Sequence, residues 1–273
     1  MLNHIQVTLH GLEQEQKELL VALLAEEGYD GFEEPGRELL AYTTETAFSE
    51  TLLQQLSEQF GFTYTVSALA PQNWNAVWEA GFEPVVVDDF AAIRASFHQP
   101  VANVAHEIVI TPKMSFGTGH HATTYMMIQL MRTVSCRGQK VFDFGTGTGV
   151  LAILAEQLGA AAVLAVDNDD WSISNAQENL EANHCSRVTL EKGDHADVNG
   201  RFNIILANIN KHILLANMPF FREHLEPGGQ LLMSGLLEQD EADIGQALDP
   251  YGLKHEKTLH RDQWIALLCS RPA

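Results

Sequence analysis

The chain has 273 residues, with 36 acidic and 16 basic side chains, a net charge of −20 and 45% hydrophobic residues. That length suits one large or two modest domains with enough apolar material for a packed core. The charge excludes broad contact with a nucleic-acid backbone, which needs clustered Lys and Arg, and no run of about eighteen apolar residues offers a membrane span.

Residues 1–69 read as a small α+β unit. Ile5–Leu9 alternates as a strand, and Glu13–Glu27 places Leu19, Leu20, Leu23 and Leu24 at helical spacing before Gly28 closes the helix. Tyr29–Glu33 and Glu38–Thr43 are predicted strands around the turn Glu34-Pro35-Gly36-Arg37. Thr46–Phe60 is a second predicted helix, ended by Gly61, and Phe62–Ala68 a fourth strand. The order βαββαβ is that of the ferredoxin-like, split βαβ arrangement. The unit has twelve acidic residues against two basic ones, Lys17 and Arg37, which leaves −10, half of the chain's total. Such a surface is either plainly solvated or a docking face for a basic protein.

Residues 70–81 read as a linker with a short helix. Trp74 and Trp78 are four apart and share a face; packing at a domain junction is the simpler reading, ligand contact the alternative. A second domain spans 82–273. Phe82–Val87 and Glu107–Thr111 are predicted strands that lead into it. From Lys140 onward strands alternate with helices: strands at Lys140–Phe144, Ala162–Val166, Arg187–Leu190, Phe202–Ala207 and Gln230–Ser234, helices at about 149–158, 170–183, 211–224 and 238–248. That alternation predicts a doubly wound, mostly parallel sheet with helices on both faces. Two last strands, about 252–258 and 263–269, flank a turn near His260–Asp262 and pair as an antiparallel hairpin, for seven strands in all. The three cysteines, Cys136, Cys185 and Cys269, have neither zinc nor redox spacing and fit a reducing cytoplasm. Met1–Leu12 has no basic region followed by an apolar stretch, so no secretory signal is expected.

The central signal is Val141-Phe142-Asp143-Phe144-Gly145-Thr146-Gly147-Thr148-Gly149, an apolar strand running through a glycine turn into a helix. Such a turn lets a ligand approach the main chain and faces it with helix N–H groups. Alone it fits NAD, FAD or S-adenosylmethionine. The spacing G-x-G-x-G departs from the dinucleotide G-x-G-x-x-G, and Asp143 before the first glycine suits a cationic methionine amine better than a pyrophosphate. The next strand ends at Asp167, placed to accept from ribose hydroxyls, although acids here also cap helices. Asp194, after the third strand, is a candidate for the adenine amino group. Asn208 ends the fourth strand, where its side-chain carbonyl can accept from a substrate amine or cap a helix. Between Thr111 and Thr124, close glycines and three Thr predict a loop folding over a ligand, with a helix from about Thr123. Adjacent His120 and His121 lack ligand spacing to any thiol or carboxylate, so no metal site is expected; His106, His195 and His212 read as structural or solvated.

These residues resemble one family, the ribosomal protein L-eleven methyltransferases (PrmA type). The resemblance lies in Trp74…Trp78…Phe82-Glu83-Pro84, in Phe116-Gly117-Thr118-Gly119-His120-His121-Ala122-Thr123-Thr124, in Asp143–Gly149, in Val166-Asp167-Asn168-Asp169, in Ala207-Asn208-Ile209 and in Ser234-Gly235-Leu236-Leu237. It implies a class I S-adenosyl-L-methionine-dependent methyltransferase of Rossmann-like fold, preceded by a ferredoxin-like substrate domain. The implied reaction is trimethylation of lysine side-chain and N-terminal α-amines on large-subunit ribosomal protein eleven. The family's cofactor contacts carry over onto Thr124, Gly145, Asp167 and Asn208, and Phe116, Thr118 and Gly147 match its motif. The sequence departs from the family at Asn208-Ile209-Asn210-Lys211, where Asn-Ile-Leu-Ala is usual, at Thr146, where Cys is common, and at Thr111-Pro112-Lys113-Met114, where Asp-Pro-Gly-Met is usual. The first departure flanks the substrate amine, so it bears on substrate more than on cofactor. The alternatives are methylation of another protein or a small amine, a non-catalytic nucleotide-binding assembly factor, and an NAD-dependent oxidoreductase.

Overall fold

Alternation along the first strand, β1 (His4–His10), buries Val7 and Leu9 completely and turns Gln6 and Thr8 to the other face. In this computed structural model residues 4–69, 82–113, 117–193 and 198–273 are described. The expected linker helix with Trp74 and Trp78, and the candidates Phe116 and Asp194, lie outside the described residues. The chain divides into two units, Met1–Gly81 and Phe82–Ala273.

In the first unit β1 is followed by α1 (Gln14–Glu26), β2 (Tyr29–Glu33), β3 (Glu38–Thr44), α2 (Glu50–Phe60) and β4 (Thr63–Leu69). The strands form a sheet in the order β2-β3-β1-β4, each neighbouring pair antiparallel. Leu20 and Leu24 of α1 and Leu53 and Leu56 of α2 pack with Val7, Leu9, Leu39 and Ala41 of the sheet. The second helix starts at Glu50 rather than Thr46. Ser49 caps it, its hydroxyl accepting from the Leu52 N–H at 3.3 Å, while the N–H groups of Ala47 and Phe48 are spent on the Thr44 carbonyl in a turn. Both basic residues of the unit are engaged within it: Lys17 is 3% exposed and donates to the Gly36 carbonyl at 2.5 Å, and Arg37 pairs with Glu13.

The second unit opens with a three-stranded sheet of β5 (Val85–Val87), β6 (Ala91–Ala95) and β7 (His106–Ile110), antiparallel between β5 and β6 and parallel between β6 and β7. Strand β6 was not expected. Its Ala-Ala-Ile-Arg-Ala run has little β-branched character, and burial together with an Arg94–Glu107 ion pair at 2.8 Å holds it there.

After α3 (Ala122–Met131) come β8 (Lys140–Phe144), α4 (Val150–Gln157), β9 (Ala162–Asp167), α5 (Asp170–Ala182), β10 (Val188–Lys192), β11 (Phe202–Asn208), α6 (Lys211–Ala216), α7 (Met218–His224), β12 (Leu225–Leu237), α8 (Glu241–Leu248), β13 (Lys254–Arg261) and β14 (Trp264–Ser270). The sheet order is β10-β9-β8-β11-β12-β14-β13, with β10 through β12 parallel and β14 antiparallel to both its neighbours. Strand alternation builds a core on each face. Val141, Ile204, Leu206 and Leu232 meet Met127 of α3 and Ile153 of α4, while Phe142, Ile205, Leu231 and Met233 meet Leu214, Phe221 and Ile244 of α6, α7 and α8. The single helix expected over 211–224 is two helices, because Pro219 lacks an N–H and its ring opposes the carbonyl four residues back. The final turn falls at Asp262 and Gln263, both left-handed (φ 49° and 66°), so β13 runs on through Arg261. Among the described residues no helix is long and apolar enough to cross a membrane.

The chain order turns back between β8 and β11. A crevice therefore opens above the carboxyl ends of these strands, where open α/β sheets bind ligands. Phe142 lies beneath it without exposure, its ring 5.0 Å from that of Phe202 and 5.9 Å from that of Phe144. Phe142→Ala is expected to cost about 3–5 kcal/mol of stability, measured as a lowered urea midpoint with an unchanged slope.

Candidate functional site

The turn after β8 is tied to the end of β9 by backbone hydrogen bonds. The N–H groups of Gly145 and Thr146 both donate to the Val166 carbonyl, at 3.0 and 2.9 Å. The Gly147 N–H donates to Asp167 Oδ2 at 2.9 Å, and Asp167 Oδ1 accepts from the Asp169 N–H at 3.1 Å. Asp169 caps α5 by accepting from the Ser172 N–H at 2.8 Å, so the capping role and the cavity-facing position fall on different acids. Gly145 is left-handed (φ 73°), and a Cβ on it would come within 2.5 Å of Ile209 Cγ2. A Cβ on Gly235 (φ 89°) would overlap the Ile209 carbonyl oxygen. Ile209, just past β11, is thus held between two glycines.

Above these elements is a cavity of about 620 Å³, within the size range of small-molecule sites, roughly 300–1,000 Å³. Its wall follows the sheet order: Gly193 after β10, Asp167 at β9, Gly147 after β8, Asn208 at β11, Gly235 in β12 and Trp264 at β14. Gly145 lies on this wall as well. Asn208 is 9% exposed. Its Nδ2 donates to Thr124 Oγ1 at 3.2 Å, and its Oδ1 is buried with no hydrogen-bond partner among the described residues. It does not cap α6, whose N-cap position is Asn210.

The other sequence candidates stand off the wall. Thr124, 1% exposed in the first turn of α3, holds the Asn208 amide from behind. Asp143, also 1% exposed, lies under the turn and accepts from Thr146 Oγ1 at 2.6 Å. Burial pushes its carboxyl up to about 7, the Thr146 hydrogen bond opposes the shift and the nearby Asp167 adds to it. Thr118 Oγ1 lies 3.2 Å from His120 Nδ1, in a loop whose Gly117 carbonyl accepts from Thr148 Oγ1 at 2.7 Å. His120 Nε2 donates to the Glu83 carbonyl at 2.9 Å, and His121 Nδ1 accepts from the N–H of Thr123 at 3.3 Å as the N-cap of α3.

Sequence reasoning missed His121 and Trp264 as wall residues. Their rings meet edge to face at 4.6 Å. Trp264 reads as an ordinary strand residue. Only the insertion of β14 between β12 and β13 carries it to the cavity.

A parallel sheet in this order, with a glycine turn after one central strand and an acid ending the next, defines the class I methyltransferase fold. The family described as ribosomal protein L11 methyltransferase (PrmA) matches residues 7–272, and the chain belongs to it. A ribosomal protein L11 methyltransferase of Phocaeicola vulgatus is 35% identical over 271 residues, covering 96% of each chain. One from Chlorobaculum parvum is 37% identical, covering 97% of this chain and 96% of that one. The crystal structure of a ribosomal protein L11 methylase from Lactobacillus delbrueckii subsp. bulgaricus matches with a TM-score of 0.66 and 33% identity, over 70% of this chain and 100% of that one.

Asp143 makes a pH prediction. Its native value near 7 lies above the ordinary 3.8, so the folded protein holds the proton more tightly than the unfolded chain. Stability from this group is fully present below the unfolded value and declines as pH rises toward about 7. Urea unfolding at pH 4.5 and 7.5 should show wild type losing ~3 kcal/mol relative to Asp143→Asn across that window.

Proposed function

We propose that the protein transfers methyl groups from S-adenosylmethionine to lysine side-chain amines and the N-terminal α-amine of ribosomal protein L11, in the cytoplasm. Family membership over nearly the whole chain supports this reading. The observation that carries it is Asn208 on the cavity wall, whose buried Oδ1 has no hydrogen-bond partner among the described residues and is an acceptor suited to an amine N–H.

The residues present fit the cofactor. The cavity has the required scale, Gly145 and Gly147 on its wall put no side chain between a ligand and their main chain, and each Asp167 carboxylate oxygen, already bound to one backbone N–H, keeps a lone pair for a ribose hydroxyl. Gly145, Gly147 and Asp167 would hold it there; Asp143 and Thr118 support the turn and its neighbouring loop, and Thr124 orients Asn208. Phe116 remains a candidate by family resemblance, and Asp194 by its place after the third strand of the series. When bound, S-adenosylmethionine supplies an electrophilic methyl carried on a sulfonium.

The work left to the chain is to orient and desolvate the amine. Lysine has an ordinary pKa near about 10.4 and must lose a proton before it is a nucleophile. Trp264, Ile209 and Phe144 give the wall apolar character, which disfavours the charged ammonium. Asn208 Oδ1 then accepts an N–H and turns the lone pair. Lys211, one of the departures from the family pattern, is engaged by Asp240 and Asp243 at 2.8 and 2.7 Å and does not stand on the cavity wall. Among the described residues that depart from the family pattern, Asn210 lines the cavity.

The first unit, with its βαββαβ order and β2-β3-β1-β4 sheet, is in this reading a ferredoxin-like substrate domain. With Lys17 buried and Arg37 paired with Glu13 at the surface, the remaining acidic residues present a surface suited to a basic ribosomal protein.

Intact-mass spectrometry of unmodified ribosomal protein L11, incubated with the protein and S-adenosylmethionine, should show gains in methylene steps that map to lysines or the α-amine. S-adenosylmethionine binding without any mass gain would leave the fold and cofactor standing and refute the substrate. Asn208→Ala should lower kcat roughly tenfold to a hundredfold while the S-adenosylmethionine Kd changes little; stopped-time methylation assays and calorimetric titration separate the two effects, and an unchanged kcat would remove Asn208 from the chemistry.

A further inference from the structure

Asn217 lies between α6 and α7, on the same cavity as Asn208. It occupies the N-cap position of α7, yet its side chain makes no capping bond. The cause is local. An N-cap oxygen ordinarily accepts from the N–H of the second or third helical residue; the second here is Pro219, which has none, and the backbone at Asn217 (φ −99°, ψ 7°) departs from the extended conformation usual for a cap. The amide is nevertheless fixed. Nδ2 donates to the Ile213 carbonyl at 2.8 Å, which settles which end of the amide is which and leaves Oδ1 as the free end. Asn217 is 5% exposed, and its Oδ1, like that of Asn208, is buried with no hydrogen-bond partner among the described residues.

Buried acceptors without a donor are disfavoured, and an orphan on a ligand cavity points to a ligand donor. Two such orphans on one wall call for a ligand with two N–H groups. Their place in the sheet says which part of the ligand. Asn208 follows β11, two strands from Asp167 at the end of β9, or roughly 10 Å at the usual strand spacing. In the reading above the acid and the glycine turn serve the nucleoside end, which leaves Asn208, and Asn217 on the same cavity, for the acceptor substrate.

We propose that Asn217 is the second acceptor for the substrate amine and, with Asn208, sets the direction of its lone pair. This rests on the amine-methylating reading above. A neutral primary amine has two N–H bonds and one lone pair; holding both N–H groups leaves the lone pair one direction. The N–C bond forms as the S–CH₃ bond breaks, the electron pair of that bond stays on sulfur in S-adenosylhomocysteine, and the proton of the resulting alkylammonium passes to water. The demand for two acceptors then falls with each transfer. A monomethylated amine has one N–H left to hold and a dimethylated amine none. Asn217 therefore acts on the first methylation most and on the third least.

The test is a time course of intact L11 masses with wild type, Asn217→Ala, Asn217→Leu and Asn217→Asp, fitted for the three successive transfers, together with S-adenosylmethionine titrations. The Ala and Leu variants remove the oxygen with and without loss of volume, so a folding defect in one leaves the other to decide. Both are expected to slow the first transfer about tenfold, to change the third less than about twofold, and to bind S-adenosylmethionine as wild type does; Asp, which retains acceptor oxygens, should recover most of the first-transfer rate. Equal slowing of all three transfers, which a merely structural role would give, or wild-type kinetics in both variants, overturns the proposal. So does a loss of S-adenosylmethionine affinity, which would assign the oxygen to the cofactor. Wild type that binds S-adenosylmethionine but leaves L11 unmethylated refutes the substrate reading itself, an outcome distinct from all of these.

Discussion

The hydrogen bond from the Gly147 N–H to the Asp167 carboxylate is the constraint on which the site depends. With the two N–H groups donated to Val166 it joins the turn after β8 to the end of β9, so the glycine main chain and the Asp167 carboxylate on the cavity wall are held together. Satisfied donors in the turn also mean that its backbone is not waiting for water or ligand to order it. The glycines are there because the turn is left-handed at several successive points and because Ile209 presses against it, not because the region is loose.

From that joint the rest of the site is laid out by the sheet. Parallel strands end on one side, and their order converts positions far apart in sequence into a row along one cavity, from Gly193 through Asp167 and Asn208 to Trp264. Behind the row is a second set of groups that do not line the cavity. Thr124 steadies Asn208, and Asp143 braces the turn through Thr146 at the expense of a carboxyl that resists ionisation. In the first unit the twelve acidic residues outnumber the two basic ones, and Lys17 is drawn into the fold.

Much of this was legible in the residues. The glycine turn, the acid at the end of the second strand of the series and the amide at the end of the fourth are local features, because strand, turn and cap chemistry depend on neighbours in sequence. The same locality explains the errors. The helix expected from Thr46 starts at Glu50, because Ser49 supplies the cap and the turn before it consumes the N–H groups of Ala47 and Phe48. Helix 211–224 was read through Pro219, whose missing N–H breaks it. Strand β6 escaped notice since burial, not β-propensity, holds it.

The sequence by itself determined most of the elements, the family and the local motifs of glycine turn, strand-end acid and strand-end amide at Asp167 and Asn208, because each rests on backbone geometry or on side-chain chemistry within a few residues. Only the tertiary structure decided which of the named residues stand on the cavity and which behind it. It put Thr124 and Asp143 behind, brought Trp264 and His121 forward, and left the Asn217 oxygen without a cap. Those outcomes follow from strand order and from competition for hydrogen-bond donors across the fold, and neither is encoded in any one stretch of chain.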